Sequence, residues 1–174
     1  SSGVGPIRLS TNNNTASDYD VVTMIVMRDI AELVFEFEPL DWILYNKLID
    51  MREWMVCRPN GPGNYLPALD MAATLLAENN LGTCALSLVF FSDGKPSDQG
   101  PFAEKMGEIA SRYRRRLTFS CIGMAEGTDE EAFRALNDMV TEAEAFGAKS
   151  SFTLPSLDTE SLSHIISSMA SSLT

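Results

Sequence analysis

Apolar and polar positions along this chain fall into blocks of two different periods. Val21 to Met27 is a short run of β-branched residues and methionine, and Ala31 to Phe37 interleaves apolar residues with Glu32 and Glu36, with Glu38 just beyond. The first block predicts a strand; the second predicts a strand with one wet face, as on the edge of a sheet. Arg28-Asp29 between them suits a tight connection, so the pair predicts an antiparallel β-hairpin. Asp41 to Met51 then shifts to helical spacing, with Trp42, Ile43, Tyr45, Leu48 and Ile49 recurring on it. Arg58 to Asn64 carries two prolines and two glycines and can only be loop. A second helix follows from about Tyr65 to Glu78, apolar at Leu69, Ala72, Ala73 and Leu76 and ended by Asn79-Asn80-Leu81-Gly82.

From there strand and helix alternate. Ala85 to Phe91 is almost wholly apolar and bounded by turn signals, which reads as a buried parallel strand. The polar loop Ser92 to Asp98 leads to a helix over Phe102 to Arg115, a second buried strand over Leu117 to Met124, and a long amphipathic helix over Asp129 to Phe146. Phe152-Thr153-Leu154 predicts a last edge strand and Thr159 to Leu173 a last helix. Such alternation requires right-handed crossovers. The expected fold class is therefore α/β: a doubly wound, mostly parallel sheet with helices on both faces and one antiparallel edge hairpin. Residues 1–17, rich in Ser, Asn, Thr and Gly without a period, are expected to be loop or a disordered stretch.

Bulk composition narrows the function classes. A chain of 174 residues with 45% hydrophobic and 21% charged residues suits one globular domain. Its formal charge of −11 argues against nucleic acid as a partner, because phosphate binding needs clustered cations. One such cluster does exist, at Arg112, Arg114, Arg115 and Arg116. It reads either as an anion or partner patch or, on the simpler view, as a solvated helix C-terminus where cations suit the dipole. No apolar run reaches the ~20 residues of a membrane span. Cys57, Cys84 and Cys121 show neither disulfide nor zinc spacing, and the latter two sit in or beside apolar runs as small hydrophobes; an intracellular, cytoplasmic setting is expected. Asn13-Asn14-Thr15 forms a glycosylation sequon too short to argue otherwise.

Enzymatic chemistry finds little footing. The only histidine, His164, reads as a helix-surface residue, and Gly-x-Ser-x-Gly, Walker A and Gly-x-Gly-x-x-Gly motifs are absent. Asp93 and Asp98 could be imagined as acid and base, but loop aspartates more commonly serve turns and caps; Asp98 or Ser97 is expected to cap the helix that begins near Pro101. Trp42 and Tyr45 are expected in the core rather than, with Trp54, in an aromatic binding patch. The place for a ligand is the carboxyl edge of the sheet. There Asp93, beside Ser92 and followed by Gly94, could serve as a hard-cation ligand, although Asp-Gly is also an ordinary turn.

Two segments carry a family resemblance. Leu88-Val89-Phe90-Phe91-Ser92-Asp93-Gly94-Lys95-Pro96-Ser97-Asp98 resembles the fourth-strand motif of von Willebrand factor A-type (vWA) domains, an apolar run followed by Ser/Thr-Asp-Gly-x-Pro-Ser-Asp. Gly61-Pro62-Gly63-Asn64-Tyr65-Leu66-Pro67-Ala68-Leu69 is similar to that family's Gly-Gly-Thr-Asn-x-x-x-Ala-Leu segment. The hairpin from Val21 to Pro39 is similar to the family's second and third strands, and Leu117 to Gly123 to its fifth, so the resemblance runs from about Asp20 to the C-terminus.

The resemblance implies a vWA/Rossmann-like fold, a protein-binding role without catalysis, and a metal-ion-dependent adhesion site. In that site three loops hold a divalent cation, usually Mg²⁺, and a partner carboxylate completes the coordination. Asp93 matches the third-loop Asp and is carried over as the metal ligand. The second-loop Thr falls on Gly63, which has no side-chain oxygen, and the first loop, Asp-x-Ser-x-Ser, is absent from the sequence. A degenerate site is therefore expected, since Mg²⁺ takes six oxygens in a tight octahedron. Residues 18–174 are expected to form a vWA-like domain lacking the family's first strand and helix. The expected function is an interaction module that holds a partner protein through Gly63, Asn64 and Tyr65 and through Ser92, Asp93, Gly94, Lys95 and Asp98, with or without Mg²⁺. The alternative is a metal-free structural subunit or scaffold of a larger assembly with a vestigial site; a Rossmann-like enzyme using Asp93 is the weakest reading.

Overall fold

The structure, a computed structural model, describes residues 20–56, 63–78, 84–124, 131 and 133–153. The N-terminal loop over residues 1–17, the helix over 159–173, Cys57 and His164 lie outside the described residues. Two strands open the fold: β1 (Val21–Val26) and β2 (Glu32–Pro39) pair antiparallel as a two-stranded sheet, the expected hairpin. Helix α1 (Trp42–Val56) follows, its first turn capped by Asp41, whose Oδ1 accepts from the amides of Ile43 and Leu44 at 2.8 and 2.9 Å.

Helix α2 (Tyr65–Glu78) leads into β3 (Leu86–Ser92), and α3 (Phe102–Tyr113), β4 (Leu117–Gly123), α4 (Arg134–Ala145) and β5 (Lys149–Thr153) complete the chain's described part. Strands β3, β4 and β5 form a three-stranded parallel sheet in sequence order. The repeated strand–helix–strand step with short connections produces this order, and α3 packs along α4, with α2 flanking α3. The long apolar runs end up where continuous hydrophobicity requires, in the middle: β4 is buried over almost its whole length.

The core joins Leu117, Phe119 and Cys121 of β4 to Met106, Ile109 and Ala110 of α3 and Leu136, Met139 and Ala143 of α4. Gly107 lets the two helices meet closely; a Cβ there would stand 2.9 Å from Glu142 Cγ and 3.1 Å from the Phe146 ring. Among the described residues no ladder joins the hairpin to the three-stranded sheet.

Several local expectations are corrected. Trp42 and Tyr45 do not enter the core: they are 73% and 49% exposed and stack on each other, ring centroids 4.7 Å apart. Helix α1 carries apolar residues around much of its circumference; its Lys47 reaches the hairpin at Glu38 and over the Phe35 ring, and among the described side chains Leu44 is the one it buries. Cys84 is exposed whereas Cys121 is buried. Strand β5 begins at Lys149, earlier than expected, because its polar start (Lys149, Ser150, Ser151) hid it from the hydrophobic pattern. The expected clean alternation of β2 is broken by two bulges, each placing an extra residue in β2 opposite β1. At one of them Phe37 takes a positive φ of 49° and is turned to solvent.

Candidate functional site

The carboxyl ends of β3 and β4 lie at one edge of the parallel sheet, where the amide of Met124 donates to the carbonyl of Ser92 at 2.7 Å. Three chain segments meet at this edge: the hairpin tip (Arg28, Asp29), the entry to α2 (Gly63 to Leu66) and the β3–α3 loop (Ser92 to Asp98). Asn64 pins the first two together. Its backbone N–H donates to Arg28 O at 3.3 Å and its side-chain amide to Asp29 O at 3.0 Å. The third is tied in by the Ser97 amide, which donates to Gly63 O at 3.2 Å.

Asp98 supplies the strongest tie. Its two carboxylate oxygens accept from the amides of Tyr65 and Leu66 at 2.8 and 2.9 Å. It therefore caps α2 from across the chain, where free N–H groups and the positive end of the dipole favour a carboxylate. This overturns the expectation that Ser97 or Asp98 caps α3: that helix has Pro101 at its N-cap position and no side-chain cap. The amide of its first residue, Phe102, donates instead to Gly100 O at 3.0 Å.

Tyr65 is the keystone of the arrangement. It is 1% exposed, packs against the rings of Phe90 and Phe102, and sends its hydroxyl under the β3–α3 loop. That hydroxyl donates to Gly94 O at 2.5 Å, which uses its single proton, so the Ser92 hydroxyl donates to Tyr65 Oη, also at 2.5 Å. The Gly94 amide in turn donates to Ser92 Oγ at 3.2 Å, closing a small ring of hydrogen bonds. Gly94 takes a φ of 141°, a backbone conformation that an L side chain rarely adopts. Burial above all pushes the Tyr65 hydroxyl up to about 12, with the Ser92 hydrogen bond opposing and the Asp93 charge reinforcing the shift. It stays a protonated donor at any physiological pH.

The residues singled out in the sequence thus divide into two sets. Tyr65, Ser92, Gly94 and Asp98 are buried or part-buried and hold the loops in shape, with Asn64 beside them. Asp93, Lys95 and Ser97 are exposed on the rim, and Asp93 makes no hydrogen bond or ion pair among the described residues. Periodicity had no means of finding the locking role of Tyr65 and Asp98, because both act across more than 25 residues of chain.

Among the described residues the side chains at this edge do not complete the six-oxygen shell of a Mg²⁺ ion. Ser92 Oγ and both Asp98 oxygens are already engaged, Gly63 offers no side-chain oxygen, and no group of three His, Cys, Asp or Glu side chains gathers among the described residues. A Cβ at Gly63 would meet no atom within 4 Å, so the position has room for a larger residue. No helix among the described residues is long and apolar enough to cross a membrane.

No protein-family model matches this sequence, and no curated protein matches it either. Solved structures do. The SpRpn10 VWA domain aligns with a TM-score of 0.54 and 14% identity, over 84% of this chain and 70% of that one. A von Willebrand factor type A protein from Catenulispora acidiphila aligns with a TM-score of 0.57 and 13% identity, over 88% of this chain and 33% of that one. The chain has a vWA-like α/β fold. At such low identity the likeness is one of fold.

Proposed function

We propose that this vWA-like domain is a protein-interaction module, not an enzyme, and that it binds a partner protein at the carboxyl edge of its parallel sheet. The observation that carries the proposal is the convergence of three segments on one seat fixed by Asn64, Tyr65 and Asp98, with Asp93, Lys95 and Ser97 left exposed above it. A rim held in shape before binding loses less conformational freedom when a partner docks. Gly63, Asn64, Tyr65, Ser92, Gly94 and Asp98 set the geometry in this reading; Asp93 and Lys95 make the contacts. With a formal charge of −11 the chain would steer a basic surface toward it, and Asp93 would pair with a partner cation directly. No bound Mg²⁺ is part of this mechanism, and an intracellular setting completes the proposal.

A photo-crosslinking residue at Lys95, in the full protein in its native cells, tests the site. A discrete adduct that Asp93→Ala abolishes without lowering the melting temperature is expected; adducts insensitive to that substitution would remove the site. Thermal unfolding with millimolar Mg²⁺ and then EDTA is expected to show no shift. An upward shift lost in Asp93→Ala would bring the cation back, because a ligand that binds only the folded state raises its stability.

A second reading has its own support. Ile30, Leu40, Trp42 and Ile43 are 59–76% exposed on the hairpin and α1, an apolar surface suited to permanent burial in an assembly. In that reading the domain is a structural subunit or scaffold of a larger assembly, and substitution of Asp93 has no effect on assembly.

A further inference from the structure

The opposite pole of the molecule holds a second feature of definite chemistry. Helices α3 and α4 both run antiparallel to the strands they connect, so both end at the amino edge of the sheet. Between their last turns lies a shallow depression of about 360 Å³ lined by Ser111, Arg114, Arg115, Ala145, Phe146 and Gly147. The Phe146 ring lies beside Gly107, where an added Cβ would stand 3.1 Å from it; the residue is 46% exposed and lines this depression.

The charge here runs against the rest of the chain. Acidic residues outnumber basic ones 24 to 13, yet four of the 13 cations fall within Arg112 to Arg116. Arg116 is committed to the structure, its guanidinium donating to Cys84 O at 3.1 and 2.9 Å. Arg112, Arg114 and Arg115 form no ion pair among the described residues, although Glu142 and Glu144 stand on the last turns of α4. Arg114 contributes one long bond to Ser111 O, at 3.4 Å.

Arg114 also sits where a glycine would be easier. Both helices end on a residue with positive φ: Gly147 just past α4, at 91°, and Arg114 at the end of α3, at 49°. Glycine takes such a conformation without a Cβ clash; arginine does not. Simple solvation of a helix end does not call for arginine at that position, since Arg112 and Arg115 already serve the dipole.

We propose that this pole is a docking site for an acidic peptide segment of a partner protein, its carboxylates on Arg114 and Arg115 and an apolar side chain against Phe146. Planar guanidinium forks match carboxylates in two-pronged fashion, and the half-exposed ring offers what a bare phosphate would not use. A long polyanion such as nucleic acid is disfavoured by the remaining acidic surface. This site lies at the other end of the strands from Asp93 and is independent of it.

The test is fluorescence anisotropy of the full chain with a labelled twelve-residue peptide in which acidic residues flank a single leucine. Binding with a Kd of about 10–100 µM at low salt is expected, weakening several-fold as salt screens the contacts. Arg115→Ser should weaken it at least fivefold. Arg114→Gly should do the same while raising the melting temperature, so lost binding cannot be ascribed to unfolding. Replacing the peptide's leucine with serine should weaken binding further, and Asp93→Ala should leave it unchanged. Equal affinity of the wild type and both arginine variants would overturn the proposal. So would a single-stranded oligonucleotide of the same charge binding as tightly as the peptide.

Discussion

Strands β2 and β4 have similar lengths, eight and seven residues, yet β4 is buried along nearly all of its course while β2 buries Phe35 and exposes Leu33 and Phe37. The helices repeat the contrast. Helix α3 alternates its apolar and polar residues so that Met106, Ile109, Ala110 and Tyr113 share one buried stripe. Helix α1 has larger apolar residues in its first half, and Trp42, Ile43, Tyr45, Leu48 and Ile49 all remain exposed. Burial follows from neighbours more than from a residue's own hydrophobicity. β4 lies between β3 and β5 under α4; β2 has β1 as its one strand neighbour among the described residues. The parallel half is thus expected to be self-sufficient, and the hairpin with α1 to depend on pins such as Asn64 and on whatever covers its apolar side.

The largest expected effect lies in the parallel half. Phe119→Ala should cost about 3–5 kcal/mol in denaturant unfolding, through lost burial and the cavity left behind. Phe35→Ala removes a ring that is also buried but lies outside the main core cluster, and should cost less, about 2–3 kcal/mol. Equal losses would erase the distinction between the halves.

Asp98→Ala comes next, at about 1–2 kcal/mol for a lost helix cap, and its effect should reach the hairpin. Faster hydrogen exchange is expected at the amides of Tyr65 and Leu66 and, through Asn64, around Arg28. A change confined to α3 would contradict the cap assignment.

Alkaline pH separates the halves as well. Burial pushes Tyr65 and Cys121 each up to about 12, so folding favours their protonated forms. Their stabilising contribution is complete below the ordinary range of the free groups and is lost as pH rises from about 9–10 through about 12. Tyr65→Phe should flatten part of this fall, leaving the part due to Cys121; a pH profile identical to that of the wild type would show that the Tyr65 hydroxyl is not held as described.

The smallest effect belongs to the exposed face of α1. Trp42→Ser should change stability by no more than about 0.5 kcal/mol in the isolated chain. A loss above about 2 kcal/mol would mean that this face is covered.

Much of the parallel half was legible in the sequence. The near-continuous apolar runs of β3 and β4 are too short for helices, the stripes of α3 and α4 repeat every 3.6 residues, and the alternation of the two dictates the topology. The hairpin was legible as a pair of strands but not in its register, because Phe37 reads as an ordinary alternating position until its backbone turns to positive φ. At the site, the two loops were legible by their turn residues, and Asp93 by its place after a buried strand. The locking contacts were not. Nothing local distinguishes Asp98 as a cap for a helix that begins 33 positions earlier, or marks Tyr65 as the side chain that closes on Gly94.

The most direct test of the interaction site is the affinity of the partner captured at position 95 for the wild-type chain and for Asp93→Ala, measured by calorimetry on proteins of matched melting temperature. An affinity at least tenfold weaker for Asp93→Ala, a loss of about 1.4 kcal/mol or more, is expected. Equal affinities would contradict a partner site at the carboxyl edge of the sheet and favour burial of the hairpin and α1 in an assembly.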